Sequence, residues 1–220
     1  QLAFTLASLS NEGYEVILVS SGAIGVGLHQ LGLDKRPATI SKQQAVAAIG
    51  QSELIKIYSQ RFQYYNQQSA QVLLTRDVVD FPESRNNVIN TIHELLMINV
   101  ISIINENDSV AVDELDHLTK FGDNDQLSAI VSDLSEADLL IMLSDIDGFY
   151  SDNPTTNKEA RLYSRSKEIT PDLEGAAGGE GSRFGTGGMS SKLKAADRIF
   201  KRDSQMILAY GQDATIIFDI

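Results

Sequence analysis

The 220-residue chain contains no cysteine. That excludes disulfides, thiolate metal sites and cysteine nucleophiles, and it fits a reducing compartment. Positive charge is scarce: 18 Lys and Arg stand against 30 Asp and Glu, giving a net charge of −12 and a pI near 4.6. Nucleic acid and anionic membrane surfaces would repel such a chain at long range, so neither is expected as a partner and a small ligand is. No apolar run approaches the roughly 20 residues that span a bilayer and no signal peptide is visible, which makes the cytoplasm the expected location. The three histidines, His29, His93 and His117, are scattered without metal-ligand spacing, and no Ser/His/Asp constellation can be assembled. No protein-held metal site is expected. Linkers, internal repeats and low-complexity tracts are also missing, and 24.1 kDa suffices for one sizeable core. A single domain over residues 1–220 is the expectation.

What is present is an alternation of apolar runs and helical patterns. Val16 to Val19, Ala70 to Leu74, Val100 to Ile104, Leu139 to Leu143 and Met206 to Ala209 read as buried strands. Helices are expected over Gln43 to Tyr65 (Leu54, Ile57, Tyr58, Phe62 and Tyr65 on one side), Asn86 to Ile98, Asp123 to Ser135 and Ser190 to Arg202. The chain opens inside another helical pattern, with Leu2, Leu6 and Leu9 at helical spacing and no N-cap before them, and it ends at Ile220 just after an apolar, strand-like run. Strands alternating with helices imply an α/β fold, a largely parallel sheet covered on both faces in three α/β/α layers. Small or polar residues follow four of the strand candidates, and ligands of open α/β sheets bind at the carboxyl ends of strands.

Four stretches carry chemistry. Gly185, Thr186, Gly187, Gly188, Met189, Ser190, Ser191 and Lys192 combine close backbone access, hydroxyls and one cation at the start of a helix, which reads as a phosphate cradle. The spacing is not that of a P-loop, and a merely flexible loop is the alternative. Ser20, Ser21, Gly22 and Ala23 sit where a strand turns into a helix; they can hold a carboxylate or phosphate oxygen, or Ser21 can simply cap the helix. Asn105, Glu106, Asn107 and Asp108, with Gly122, Asp123, Asn124 and Asp125, gather acids and amides in two short turns, either solvated or turned toward a cationic partner such as a substrate ammonium. Ser144, Asp145, Ile146, Asp147 and Gly148 lack the remaining ligands of a calcium loop and read as a nucleotide-proximal turn.

Taken in this order, Ser20-Ser21-Gly22-Ala23, Asn105-Glu106-Asn107-Asp108, Phe121-Gly122-Asp123-Asn124-Asp125, Ser144-Asp145-Ile146-Asp147-Gly148 and Phe184-Gly185-Thr186-Gly187-Gly188-Met189 with Lys192 resemble the glutamate 5-kinases of the amino-acid kinase family across nearly the whole chain. The resemblance implies the amino-acid kinase fold and ATP- and Mg²⁺-dependent phosphorylation of the side-chain carboxylate of L-glutamate, the first step of proline synthesis. It implies glutamate contacts at Ser21, Asp108 and Asn124. It implies ATP contacts at Ser144, Asp145, Thr186, Gly187, Gly188, Met189, Ser190, Ser191 and Lys192, with Lys192 also on the transferred phosphate. Proline as feedback inhibitor, a homo-oligomer and glutamyl phosphate reductase as the downstream enzyme belong to the same implication. Family members begin with a strand carrying Lys-x-Gly-Ser, expected here before Gln1, so the chain reads as truncated at its N-terminus; the C-terminal PUA domain of many bacterial members is not in the sequence.

Transfer to a carboxylate needs no general base, since a glutamate side chain with a pKa of about 4.3 is already ionised at neutral pH. Lys192, Mg²⁺ and backbone N–H groups would neutralise charge on the migrating group, and Asp123 or Asp125 could position lysines. The rival readings are another amino-acid kinase, acting on aspartate, N-acetylglutamate or a nucleoside monophosphate, and a non-catalytic amino-acid-binding module.

Overall fold

The computed structural model describes residues 1–110, 123–152, 154, 157–177 and 187–220. They divide into two compact units, Gln1–Leu127 and Ser128–Ile220.

In the first unit, helix α1 (Leu2–Asn11) leads to strand β1 (Ile17–Val19), α2 (Ala23–Leu31) and α3 (Ile40–Gln63). Strand β2 (Ser69–Leu74), the short α4 (Asp77–Asp80), α5 (Pro82–Met97) and β3 (Ile101–Glu106) follow. The strands form a parallel sheet in the order β1-β3-β2, with Leu18 opposite Ile103 and Val72 opposite Ile104. All six residues of the central strand β3 are buried, as a parallel strand covered on both faces requires. Buried Val46, Ala47, Leu54 and Phe62 of α3, Ile92 of α5, and Leu6 and Ala7 of α1 contribute to the apolar interior of this unit.

Two boundaries differ from the sequence expectation for identifiable reasons. Helix α5 starts four residues earlier than Asn86, because Pro82 occupies its first turn, where a fixed φ and a missing N–H cost nothing. Strand β3 continues two residues past Ile104, so Asn105 and Glu106 belong to the ladder rather than to the turn.

The second unit begins within α6 (Asn124–Leu134). It continues through β4 (Leu139–Ser144), β5 (Phe149–Tyr150), β6 (Leu162–Tyr163), α7 (Pro171–Ala176), α8 (Gly187–Phe200) and β7 (Gln205–Tyr210). Strands β4 and β7 pair in parallel, Ile141 opposite Ile207, and β5 and β6 pair antiparallel. Ala129, Met142, Ala195 and Ile199 form the unit's core, with Leu140, Phe200, Met206 and Leu208 packed on it. Asp133 joins α6 to α8: its carboxylate accepts from Arg198 at 2.9 Å and from Arg202 at 2.7 Å. The apolar run before Ile220 is a 3-10 helix (Ala214–Asp219), not a strand, because the Asp213 side chain accepts from the Thr215 backbone N–H and hydroxyl and starts a helical turn there. No helix among the described residues is long and apolar enough to cross a membrane.

Candidate active site

At the carboxyl edge of the first unit's sheet, the ladder runs on past the strand ends. Ser20 N–H donates to Ile104 O at 2.9 Å and Asn107 N–H to Leu74 O at 2.8 Å, so residues 20–22 and 105–108 emerge on the same edge. Asp108, half-buried, lies in a turn closed by Val110 N–H donating to Asn107 O at 3.1 Å. Ser21 is exposed in the loop that follows β1. The helix after that loop is capped by Gly22, whose φ of +103° lies in the left-handed region, with no side-chain cap. The capping alternative for Ser21 is thus not what the structure adopts. The two serines also part ways: Ser20 is buried, with Tyr58 at 2.9 Å and the Ser21 carbonyl at 3.2 Å from its hydroxyl, so only Ser21 presents its side chain outward.

Helix α2 is brought to this edge by close backbone contact with α3. A Cβ on Gly50 would lie 1.7 Å from Ala23 O, and one on Gly27 would lie 2.1 Å from Val46 O. Both positions therefore need glycine for approach, although glycine within a helix costs about 1 kcal/mol relative to alanine. Sequence reading missed this pair; its signal was two glycines interrupting helical patterns. It also missed Gln51, which accepts from Asn105 Nδ2 at 2.9 Å. Asn124 is the first residue of α6, half-buried. Its neighbour Asp123 accepts from Gln126 N–H at 3.0 Å and so caps the helix start.

In the second unit, Ser144 ends β4 and its hydroxyl donates to Asp145 Oδ1 at 3.1 Å. Its carbonyl accepts from Gly211 N–H at 2.7 Å beyond the end of β7, which puts this turn at the carboxyl edge of the β4–β7 pair. Asp147 faces the Tyr150 hydroxyl, its two oxygens at 3.0 and 3.1 Å. That bond stabilises the protonated phenol and raises the Tyr150 pKa. Gly187 and Gly188 open α8; Met189 and Ser190 are half-buried, and Ser191 is buried. Lys192, half-buried, lies one turn before buried Ala196. Thr186, like Phe121 and Gly122, lies outside the described residues.

The model of the amino acid kinase family matches residues 1–209. Over all 220 residues the chain is 68% identical to a glutamate 5-kinase of Enterococcus faecalis, spanning 81% of that protein, and 60% identical to a glutamate 5-kinase of Listeria innocua, spanning 80% of it. Among solved structures it superposes on T. acidophilum isopentenyl phosphate kinase with a TM-score of 0.59 at 15% identity, covering 99% of this chain and 86% of that one. The UMP kinase of Ureaplasma parvum gives a TM-score of 0.58 at 14% identity, with 99% and 83% covered. At such identities the structural likeness establishes the fold alone, an α/β sandwich with parallel strands. The family match along nearly the whole sequence and the identity to its close relatives establish that this chain belongs to the amino acid kinase family.

Proposed function

We propose that this protein is a glutamate 5-kinase, transferring the γ-phosphoryl group of ATP to the side-chain carboxylate of L-glutamate as the first step of proline biosynthesis. The observation that carries the reading is the 68% identity to the Enterococcus faecalis glutamate 5-kinase with no part of this chain left unmatched. The donor sets on the two units support it. In the first unit, one sheet edge carries the Asp108 carboxylate, suited to a substrate ammonium, and the Ser21 hydroxyl, suited to a carboxylate oxygen. Asn124, at the first turn of α6, is assigned to the same substrate.

In the second unit, the first turn of α8 leaves backbone N–H groups without intrahelical acceptors, opens on two glycines and continues with Ser190, Ser191 and Lys192. Such a set of donors with one cation fits the phosphates of a nucleotide. ATP supplies the transferred group, with Mg²⁺ as the phosphate counter-ion. Lys192 is assigned to the charge that shifts during transfer; Thr186 through Ser191, with Ser144 and Asp145, are assigned to holding the nucleotide. No residue needs to remove a proton, because the attacking carboxylate is ionised already. Proline as feedback inhibitor, a homo-oligomeric state, a reductase that consumes the glutamyl phosphate and a cytoplasmic location complete the proposal. Residues 1–220 are taken as one amino-acid kinase domain.

The product of this reaction is a mixed anhydride, which an amine nucleophile captures. The full-length protein incubated with glutamate, ATP, Mg²⁺ and hydroxylamine is expected to form γ-glutamyl hydroxamate in step with ADP. ADP release without hydroxamate would indicate hydrolysis or transfer to a hydroxyl, and would end the assignment.

A further inference from the structure

Helix α3 presents Gln51, Leu54, Tyr58 and Phe62 at spacings of three, four and four, one stripe on one face. Leu54 and Phe62 are buried, as expected of a stripe packed inward. Gln51 and Tyr58, half-buried, are its polar members, and a polar atom withdrawn from water costs stability unless it is bonded. Each is bonded, Gln51 to the carboxyl end of β3 and Tyr58 to the loop after β1. Gln51 Oε1 accepts from Asn105 Nδ2 at 2.9 Å, and Asn105 Oδ1 in turn accepts from Glu106 N–H at 2.9 Å. The amide of Asn105 is therefore held in one orientation, three residues before Asp108. Two turns along, about 10 Å away, the Tyr58 hydroxyl meets Ser20 Oγ at 2.9 Å while Ser20 Oγ donates to Ser21 O at 3.2 Å. A hydroxyl has one proton, so Ser20 spends its own on Ser21 O and accepts from Tyr58. The chain runs Tyr58 O–H to Ser20 O–H to Ser21 C=O, and bonds in such a chain reinforce one another.

From this geometry we infer that Gln51 and Tyr58 are positioning residues: one rigid helix face sets the spacing between the Ser21 loop and the Asp108 turn, and hence the fit to an α-amino acid. The inference rests on the proposed reading of those two loops as the amino-acid site. Neither residue touches substrate; each acts through a neighbour, Asn105 or Ser20. Loosening either bond should widen the range of loop positions and weaken amino-acid binding without altering the nucleotide side.

The test is a set of variants of the full-length enzyme. Gln51→Met keeps the length of the side chain and removes the acceptor; Gln51→Glu restores an acceptor; Tyr58→Phe removes only the hydroxyl. Gln51→Met and Tyr58→Phe are each expected to raise the KM for glutamate about five-fold, the effect of losing one neutral hydrogen bond, with kcat and the KM for ATP within about twofold. Gln51→Glu should recover part of the loss. In double-mutant cycles, Gln51→Met with Asn105→Ala and Tyr58→Phe with Ser20→Ala should cost little more than one member alone, whereas Gln51→Met with Ser20→Ala should be additive. An unchanged glutamate KM, equal rises for glutamate and ATP, or additive behaviour within the bonded pairs would overturn the inference while the hydroxamate assay still upheld glutamate phosphorylation. A wild-type enzyme giving no hydroxamate would overturn the functional reading itself, and the substrate-positioning role with it.

Discussion

Replacing Gly50 by alanine sets two effects of opposite sign against each other, and the structure decides between them. Alanine is the better helix former by about 1 kcal/mol, so propensity alone would stabilise α3. The added methyl, however, would sit 1.7 Å from Ala23 O, 2.5 Å from Gly27 N and 2.8 Å from Ala23 C, all of them backbone atoms of α2. Reaching ordinary contact needs a displacement of well over 1 Å, and no side-chain rotation can supply it. Overpacking of this kind costs about 1–3 kcal/mol, and with only backbone in the way the upper end applies. The net change is a loss of about 2 kcal/mol, or a fall in Tm of about 4–8 °C for a chain of this size. Because Ala23 opens α2 directly after the Ser21–Gly22 turn, the displacement also reaches the proposed glutamate site. Thermal melts and glutamate kinetics should therefore both change, with the glutamate KM up about tenfold or more, on the scale of 1.4 kcal/mol per factor of ten, and the ATP KM little affected. Gly25→Ala, in the facing helix α2, is the control, since nothing lies within 4 Å of its Cβ; it should stabilise. If Gly50→Ala raised Tm as Gly25→Ala does and left the glutamate KM alone, the close α2–α3 contact would not be what seats the Ser21 loop.

Two further outcomes are expected. Lys192→Met in the full-length enzyme should lower kcat by about two orders of magnitude or more while leaving glutamate binding near wild type, because its charge matters most while phosphate charge redistributes; weaker glutamate binding at unchanged kcat would remove it from that role. Asp133→Asn should destabilise by about 1–2 kcal/mol at neutral pH, a value discounted for arginine partners about one-third exposed. Burial alone would raise the Asp133 pKa, but hydrogen bonds and charge from Arg198 and Arg202 outweigh it and hold the carboxyl below its usual value. A lowered folded pKa means stability present above about pH 4 and lost as pH falls through the folded value. Denaturant melts of wild type and variant should accordingly differ by a constant amount from pH 7 to 5 and converge below about pH 4; a difference that grew on acidification would refute this account.

Much of this was legible in the sequence, and the rest failed for physical reasons. The five strands were readable as short, mainly apolar runs typical of a parallel sheet, although only β3 is buried at every residue. The length of β3 was not, since Asn105 and Glu106 are polar and yet buried; their cost is offset by partners distant in sequence, such as Gln51, which no local pattern reveals. Tyr58 was assigned correctly to the apolar side of its helix, while its hydroxyl, the atom that reaches Ser20, was invisible to periodicity. The two-residue pair β5–β6 and the six-residue α7 are too short to produce a period at all. Ser20 and Ser21 look equivalent in sequence but differ in the structure, because Ser20 turns inward to Tyr58 on α3, a partner 38 residues away, while Ser21 stays exposed in the loop.

Among the described residues, the features that shape the proposed amino-acid edge are steric contacts and neutral hydrogen bonds: Gly27 and Gly50 setting how near α2 lies to α3, Gln51 and Tyr58 tying the end of β3 and the loop after β1 to one helix, Gly22 turning the chain in a left-handed conformation. That distribution suits the proposed chemistry. A reaction limited by proton removal would gain most from a group tuned near neutral pH, whereas an ionised carboxylate meeting a phosphoryl group gains most from exact placement and from fixed charge where negative charge moves. Errors of about 1 Å in placement can cost about a hundredfold in rate, so a scaffold built on backbone contact, which yields less than side-chain contact, is the more useful investment for such an enzyme. It follows that substitutions on the hidden face of α3 should alter the KM for glutamate more readily than the pH profile of kcat.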